Sequence, residues 1–96
     1  MTKIETAIRA AMDRRRIIEF SYYGTPVAKR FAPYRIVKNR EGELEVHGRY
    51  YHGNRKHDAI FRLSKMSDII ISSQTFRPAK GFEQNSVARK NDVYHV

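Results

Sequence analysis

The chain has 96 residues, with nineteen Lys and Arg against ten Asp and Glu, a net charge of +9, and no Cys. That length predicts one domain burying only ~60–65% of the surface its unfolded chain exposes, which leaves little room for a deep substrate cavity plus a cofactor. Hydrophobic residues at 41% argue against disorder throughout, and the lack of Cys excludes a disulfide framework and a thiolate zinc site.

No apolar run nears the ~18 residues of a membrane span, and Met1-Thr2-Lys3 leads straight into an amphipathic pattern. The expectation is a cytoplasmic protein with no membrane association and no cofactor. So much positive charge on a small body attracts polyanions and raises their encounter rate.

Thr2 with Glu5 reads as a capping box, each side chain satisfying an N–H at the other's end of the first turn. Ile4, Ala7, Ile8, Ala11 and Met12 follow at helical spacing, with Lys3, Arg9 and Asp13 opposite. The spacing predicts a helix from Thr2 to about Arg15. Arg14, Arg15 and Arg16 stand where the macrodipole favours cations, and they are also placed to touch phosphates. A helix this short must pack its stripe on a sheet.

Ile17 to Val37 then reads as an antiparallel hairpin around Gly24-Thr25-Pro26. Ile18, Phe20 and Tyr22 alternate with Glu19 and Ser21, one face for a core and one for water. In the second run Lys29, Phe31 and Pro33 alternate with Arg30 and Ala32. Pro33 has no N–H to give a ladder and marks a bulge, a strand end or an edge.

Asn39 to Gly42 is a polar turn. Leu44, Val46 and Gly48, alternating with Glu43, Glu45 and His47, make a third, half-buried strand. Tyr50 to His57 reads as a basic loop and Ala59 to Leu63 as a fourth strand. Asp68 to Ser73, extendable to Phe76, is a fifth whose continuous apolar run implies burial on both faces. Residues 77–96 are expected to form a weakly ordered tail, with Ser86 capping a helical turn through Lys90. Residues 1–76 are therefore expected to be mainly β: one N-terminal helix, then a small, partly open SH3-like or Sm-like barrel of about five strands.

Sites for chemistry are sparse. His47, His52 and His57 stand five apart, which on a strand alternates faces, and no HxxxH or HExxH pattern is present. No Ser sits in a glycine-flanked elbow, and no glycine-rich loop cradles phosphate. A metal-independent ribonuclease needs a His or Tyr base with Arg and Lys beside it, for which His47, Arg49, Tyr50 and Arg62 have the chemistry. The more specific signal is aromatics interleaved with cations on strands: Tyr22, Tyr23, Lys29, Arg30, Arg49, Tyr50, Arg62 and Lys65. Aromatic faces stack on bases while Arg and Lys track phosphates.

An Ile4-Ala7-Ile8 stripe, then Ile18-x-Phe20-x-Tyr22, KRFAPYRIV, a turn at Gly42, a strand with Gly48, and FRLSKM together resemble the WYL domain, over roughly Ile4 to Phe76. That family has an Sm/SH3-like barrel and occurs mostly in bacterial and phage regulators. The resemblance places the family's basic residue on Lys29, its proline on Pro33 and its second basic residue on Lys65. Leu44, Glu45 and Val46 stand at the Trp-Tyr-Leu that names it, and Ala59 where it has Arg.

The resemblance implies a regulatory module binding nucleic acid or a nucleotide-like ligand through a basic and aromatic groove. No helix-turn-helix accompanies it, which implies a lone sensor domain, a fragment or a partner-dependent regulator. The expected function is thus non-enzymatic binding of single-stranded nucleic acid or a nucleotide-like ligand, in transcriptional or defence regulation. The expected ligand residues are Tyr22, Lys29, Arg30, His47, Arg49, Arg62 and Lys65. A protein-interaction or homodimerisation module, partnered by an effector or DNA-binding protein, is the alternative, followed by the ribonuclease.

Overall fold

Helix α1 runs over Lys3–Arg14 in the computed structural model, which describes residues 2–77 and 92–96. Thr2 caps it, its Oγ1 accepting from the Glu5 N–H at 3.1 Å. The Glu5 carboxylate turns instead to Arg9, one helical turn on, at 2.7 Å. Arg15 ends the helix at φ 54°, and its N–H donates to the Ala11 and Met12 carbonyls. The apolar stripe is inside: Ile8, Ala11 and Met12 are buried, with Ile4 packed beside them.

Among the described residues six antiparallel strands follow: β1 (Arg16–Tyr22), β2 (Lys29–Lys38), β3 (Leu44–His52), β4 (Arg55–Arg62), β5 (Met66–Thr75) and β6 (Asp92–His95). A single 3-10 turn, η1 (Leu63–Lys65), joins β4 to β5. The sheet order is β4-β3-β2-β1-β5, with β6 also on β2. The chain is mainly β with one N-terminal helix, as its alternation implies. The sheet is not closed into a barrel, because among the described residues β4 and β5 share no ladder.

Strand β2 explains both the curl and the position of Pro33. Its first part pairs with β1, from Ile18↔Phe31 to Phe20↔Lys29, and its last part with β6, from Arg35↔His95 to Val37↔Asp92. Pro33 lies at the changeover, where its missing N–H is least demanded. On the β3 side Pro33 faces Gly48 and Arg35 faces His47, so Tyr34 and Arg35 together oppose one residue. That is a β-bulge, which bends the strand and strengthens its twist.

Two apolar clusters sit on the two faces. The larger lies between α1 and the sheet and includes Phe20, Phe31, Ile36, Val46 and Phe61. The smaller, on the outer face, gathers Ile17, Ala32, Tyr34 and Phe76; Tyr34 and Phe76 stack at 5.4 Å. Residues 31–36 of β2 are therefore buried throughout, where alternation alone predicts one buried face.

Three further expectations need correction. Tyr50 to His57 is not a loop: β3 continues to His52 and β4 begins at Arg55, joined by Gly53 and Asn54. Gly53 takes φ 59°, as the first central residue of a tight hairpin turn does. Strand β5 is not buried on both faces. It is an edge strand with Ile70 62% exposed, and its apolar run packs only through Ile69 and Ile71.

The described end of the tail also departs from expectation, since Asp92–His95 forms β6. Arg35 is buried in β2, and the Asp92 carboxylate approaches it at 3.7 Å, itself 3% exposed. A buried cation needs such a partner, and β6 brings it while pairing with β2. The Tyr94 hydroxyl donates to Asp13 of α1, and the Arg9 guanidinium lies over the Tyr94 ring. The expected helical turn from Ser86 to Lys90 lies outside the described residues.

Candidate nucleic-acid interface

Gly24 is the pivot of one end of the sheet. Tyr23 and Gly24 take φ 55° and 69°, and the Thr25 N–H closes the turn on the Tyr22 carbonyl at 3.2 Å. A left-handed conformation is uncommon for a bulky residue such as Tyr23. It is held there because its N–H donates to the Lys65 carbonyl of η1 at 2.9 Å. The result is a ring 63% exposed, with the Lys65 ammonium over it at 5.6 Å from the centroid.

From Tyr23 a continuous strip of rings crosses the helix-side face. Tyr22 meets Tyr23 edge-on at 4.7 Å and Phe61 at 4.9 Å. Phe61 meets Tyr50 at 6.0 Å, and the Lys29 ammonium stands over the Tyr50 ring at 5.2 Å. His57 and His52 flank Tyr50 at 5.2 and 6.0 Å. Edge-on rings at these separations suit the aromatic quadrupole, and a cation over each terminal ring adds to the attraction. Lys29 and Lys65 thus stand at opposite ends of one aromatic strip, with Tyr22 inside it.

The other expected ligand residues are not in this strip. Lys29 and Arg30 are consecutive on a strand, so they point to opposite faces. Arg30, His47 and Arg49 all lie on the outer face. There Arg49 approaches Asp58 at 3.5 Å and His47 approaches Glu45 at 3.7 Å. Burial pushes the His47 imidazole below its ordinary pKa, outweighing the opposing pull of Glu45, and Arg35 lowers it further. Arg62 contributes its backbone to the strip, its N–H donating to the Tyr22 hydroxyl at 3.0 Å. Its side chain turns towards Glu43, 3.9 Å away. The single groove expected from the sequence is divided by the sheet.

The outer face holds a feature that the sequence reading missed. A polar trough of about 530 Å³ is lined by Arg30, Tyr51, Lys56, Ser73, Gln74 and Thr75, with Ile17 beneath. Tyr51 and Lys56 were hidden because their stretch reads as a loop. The two-residue Gly53-Asn54 connection between alternating runs was the signal that could have placed them.

Among the described residues no helix is long and apolar enough to cross a membrane, and no group of three His, Asp or Glu is placed to hold a metal ion. No family model, curated protein or solved structure matches the chain.

Proposed function

We propose that this chain is a non-enzymatic regulatory module that binds single-stranded nucleic acid along the strip from Lys29 to Lys65. The observation that carries the reading is the run of rings Tyr23, Tyr22, Phe61 and Tyr50 with a lysine over each terminal tyrosine. Tyr23 offers an exposed ring face and Tyr22 and Tyr50 partly exposed ones, with Phe61 buried between them. Such faces accept bases by stacking whatever their sequence, and the flanking ammonium groups meet the phosphates on either side. Tyr23 supports it further, since a bulky side chain held exposed at positive φ calls for a purpose beyond packing. The net charge of +9 brings a polyanion to the surface quickly. The resemblance of KRFAPYRIV and FRLSKM to the WYL domain agrees in naming Lys29 and Lys65. On this reading the regulated target is an effector or DNA-binding protein that responds to the bound strand.

The test is titration of a labelled single-stranded oligonucleotide by fluorescence anisotropy, with the wild type and with Lys29→Glu and Lys65→Glu. Binding that both reversals weaken strongly, at an unchanged thermal midpoint, is the expected result, because exposed cations contribute little to stability. Binding that survives both removes the residue-level basis of the proposal. Cleavage of the oligonucleotide would replace it with the ribonuclease reading, and absence of binding with the protein-interaction reading.

A further inference from the structure

We infer that the trough on the outer face is a second, separate site, for a nucleoside phosphate. Three consecutive strands build it. Arg30 of β2 is the direct partner of Tyr51 on β3, and Tyr51 of Lys56 on β4. With neighbouring strands ~4.8 Å apart, the backbone positions of Arg30 and Lys56 lie about 10 Å from each other on either side of the tyrosine, within reach of one ligand for side chains this long. The Lys56 ammonium stands 5.5 Å from the Tyr51 ring centroid.

The other wall comes from the end of β5, where Ser73, Gln74 and Thr75 bring two hydroxyls and a carboxamide. Tyr51 rests on the outer apolar cluster, so its ring is supported from behind.

The electrostatics select the ligand class. Among the described residues the trough lining contains no carboxylate, and neither Arg30 nor Lys56 makes an ion pair. Three other cations of that face lie beside carboxylates: Arg35 by Asp92, Arg49 by Asp58 and Arg62 by Glu43. Glu19 is the β1 partner of Arg30 but does not line the trough. Two unpaired cations in a polar recess favour an anion, and the guanidinium of Arg30 suits a phosphate through paired N–H donors.

Inorganic phosphate would leave Tyr51, Gln74 and most of the volume unused. A nucleoside phosphate uses them all: phosphate on Arg30 and Lys56, base on Tyr51, and Ser73, Gln74 and Thr75 available to ribose hydroxyls and base edges. The site faces away from the Lys29–Lys65 strip, so it is suited to a small ligand that acts independently of a strand held there.

The test uses the full chain and isothermal titration with the four 5′-nucleoside monophosphates, their free nucleosides and inorganic phosphate. The expected result is one site per chain for at least one monophosphate, with nucleoside and phosphate each binding more weakly. Arg30→Ala with Lys56→Ala should reduce that affinity by about tenfold or more, as should Tyr51→Ala, while Tyr51→Phe retains it. Lys29→Glu should leave it unchanged, which separates this site from the strand-binding strip.

No binding of any monophosphate overturns the inference. So does binding that persists in the Arg30/Lys56 double variant, or that is lost in Lys29→Glu. Inorganic phosphate binding as tightly as the nucleotide also overturns it. Because Tyr51→Ala touches the outer cluster, the exposed Arg30 and Lys56 positions decide the matter if that variant fails to fold.

Discussion

The hydroxyl of Tyr22, at the end of β1, accepts a hydrogen bond from the backbone N–H of Arg62, at the end of β4, across 3.0 Å and forty residues of sequence. Strands β1 and β4 are not neighbours in the sheet, since β2 and β3 lie between them. The bond therefore reports how far the sheet has curled, and it ties together the two ends that carry the aromatic strip. Tyr22→Phe keeps the ring contacts and removes this link. Stability should fall by ~0.5–1.5 kcal/mol in urea denaturation, with oligonucleotide affinity nearly unchanged. A large loss of affinity would mean that the hydroxyl itself meets the ligand.

Gly48 is required by the bulge opposite it. A Cβ there would lie 2.0 Å from the Ala32 carbonyl oxygen and 2.9 Å from the Phe31 ring. The first contact is with backbone in the middle of the sheet, so relief needs β2 and β3 to separate. Gly48→Ala should cost ~3 kcal/mol or more, at the upper end of overpacking effects, read as a lowered denaturation midpoint.

Ile8 anchors α1 on the sheet, fully buried among Ile18, Phe20 and their neighbours. Truncation to Ala removes three carbons from a site that cannot fully collapse, at ~2–5 kcal/mol. Thermal or urea unfolding of Ile8→Ala checks it. A neutral result would show that the helix is dispensable to the fold.

His47 supplies a pH dependence with a definite sign. Its folded pKa is lowered, chiefly by burial, so the unfolded chain binds the proton more readily. Stability then rises with pH wherever the unfolded state carries more protons. The penalty is absent above the unfolded value near 6.5 and grows as pH falls below it, levelling once the folded imidazole also protonates. His47→Gln should flatten the midpoint-against-pH curve just below that value. An unchanged slope would assign the acid sensitivity to other groups.

The salt response measures the number of phosphates engaged. For a single strand, log affinity should fall with log salt by about 0.7 per phosphate neutralised. Lys29→Glu and Lys65→Glu should each make the slope shallower as well as weakening binding. A flat response in the wild type, with binding retained, would mean that stacking acts alone and that the net charge has another use.

Local sequence determined the elements. The Thr2 cap, the Ile4–Ile8–Met12 stripe and the alternation of Ile18, Phe20 and Tyr22 depend on periods and turn chemistry confined to a few residues, and all are realised. Pro33 announced a bulge, a strand end or an edge for the same reason, and the bulge beside it is the one realised. Tertiary structure decided the rest. Residues 31–36 of β2 are buried on both sides because β1, β3 and β6 all come to that strand and a second cluster forms behind it, which no local period encodes. Asp92 looks like part of a polar tail until Arg35, far back in the sequence, is buried and needs an anion.

The site divided along the same line. The sequence showed that cations and aromatics are interleaved. Only the register of β2, β3 and β4 separated Lys29 and Tyr50 from Arg30, Tyr51 and Lys56, because adjacent residues on a strand must face opposite ways and pairing decides which side meets which neighbour.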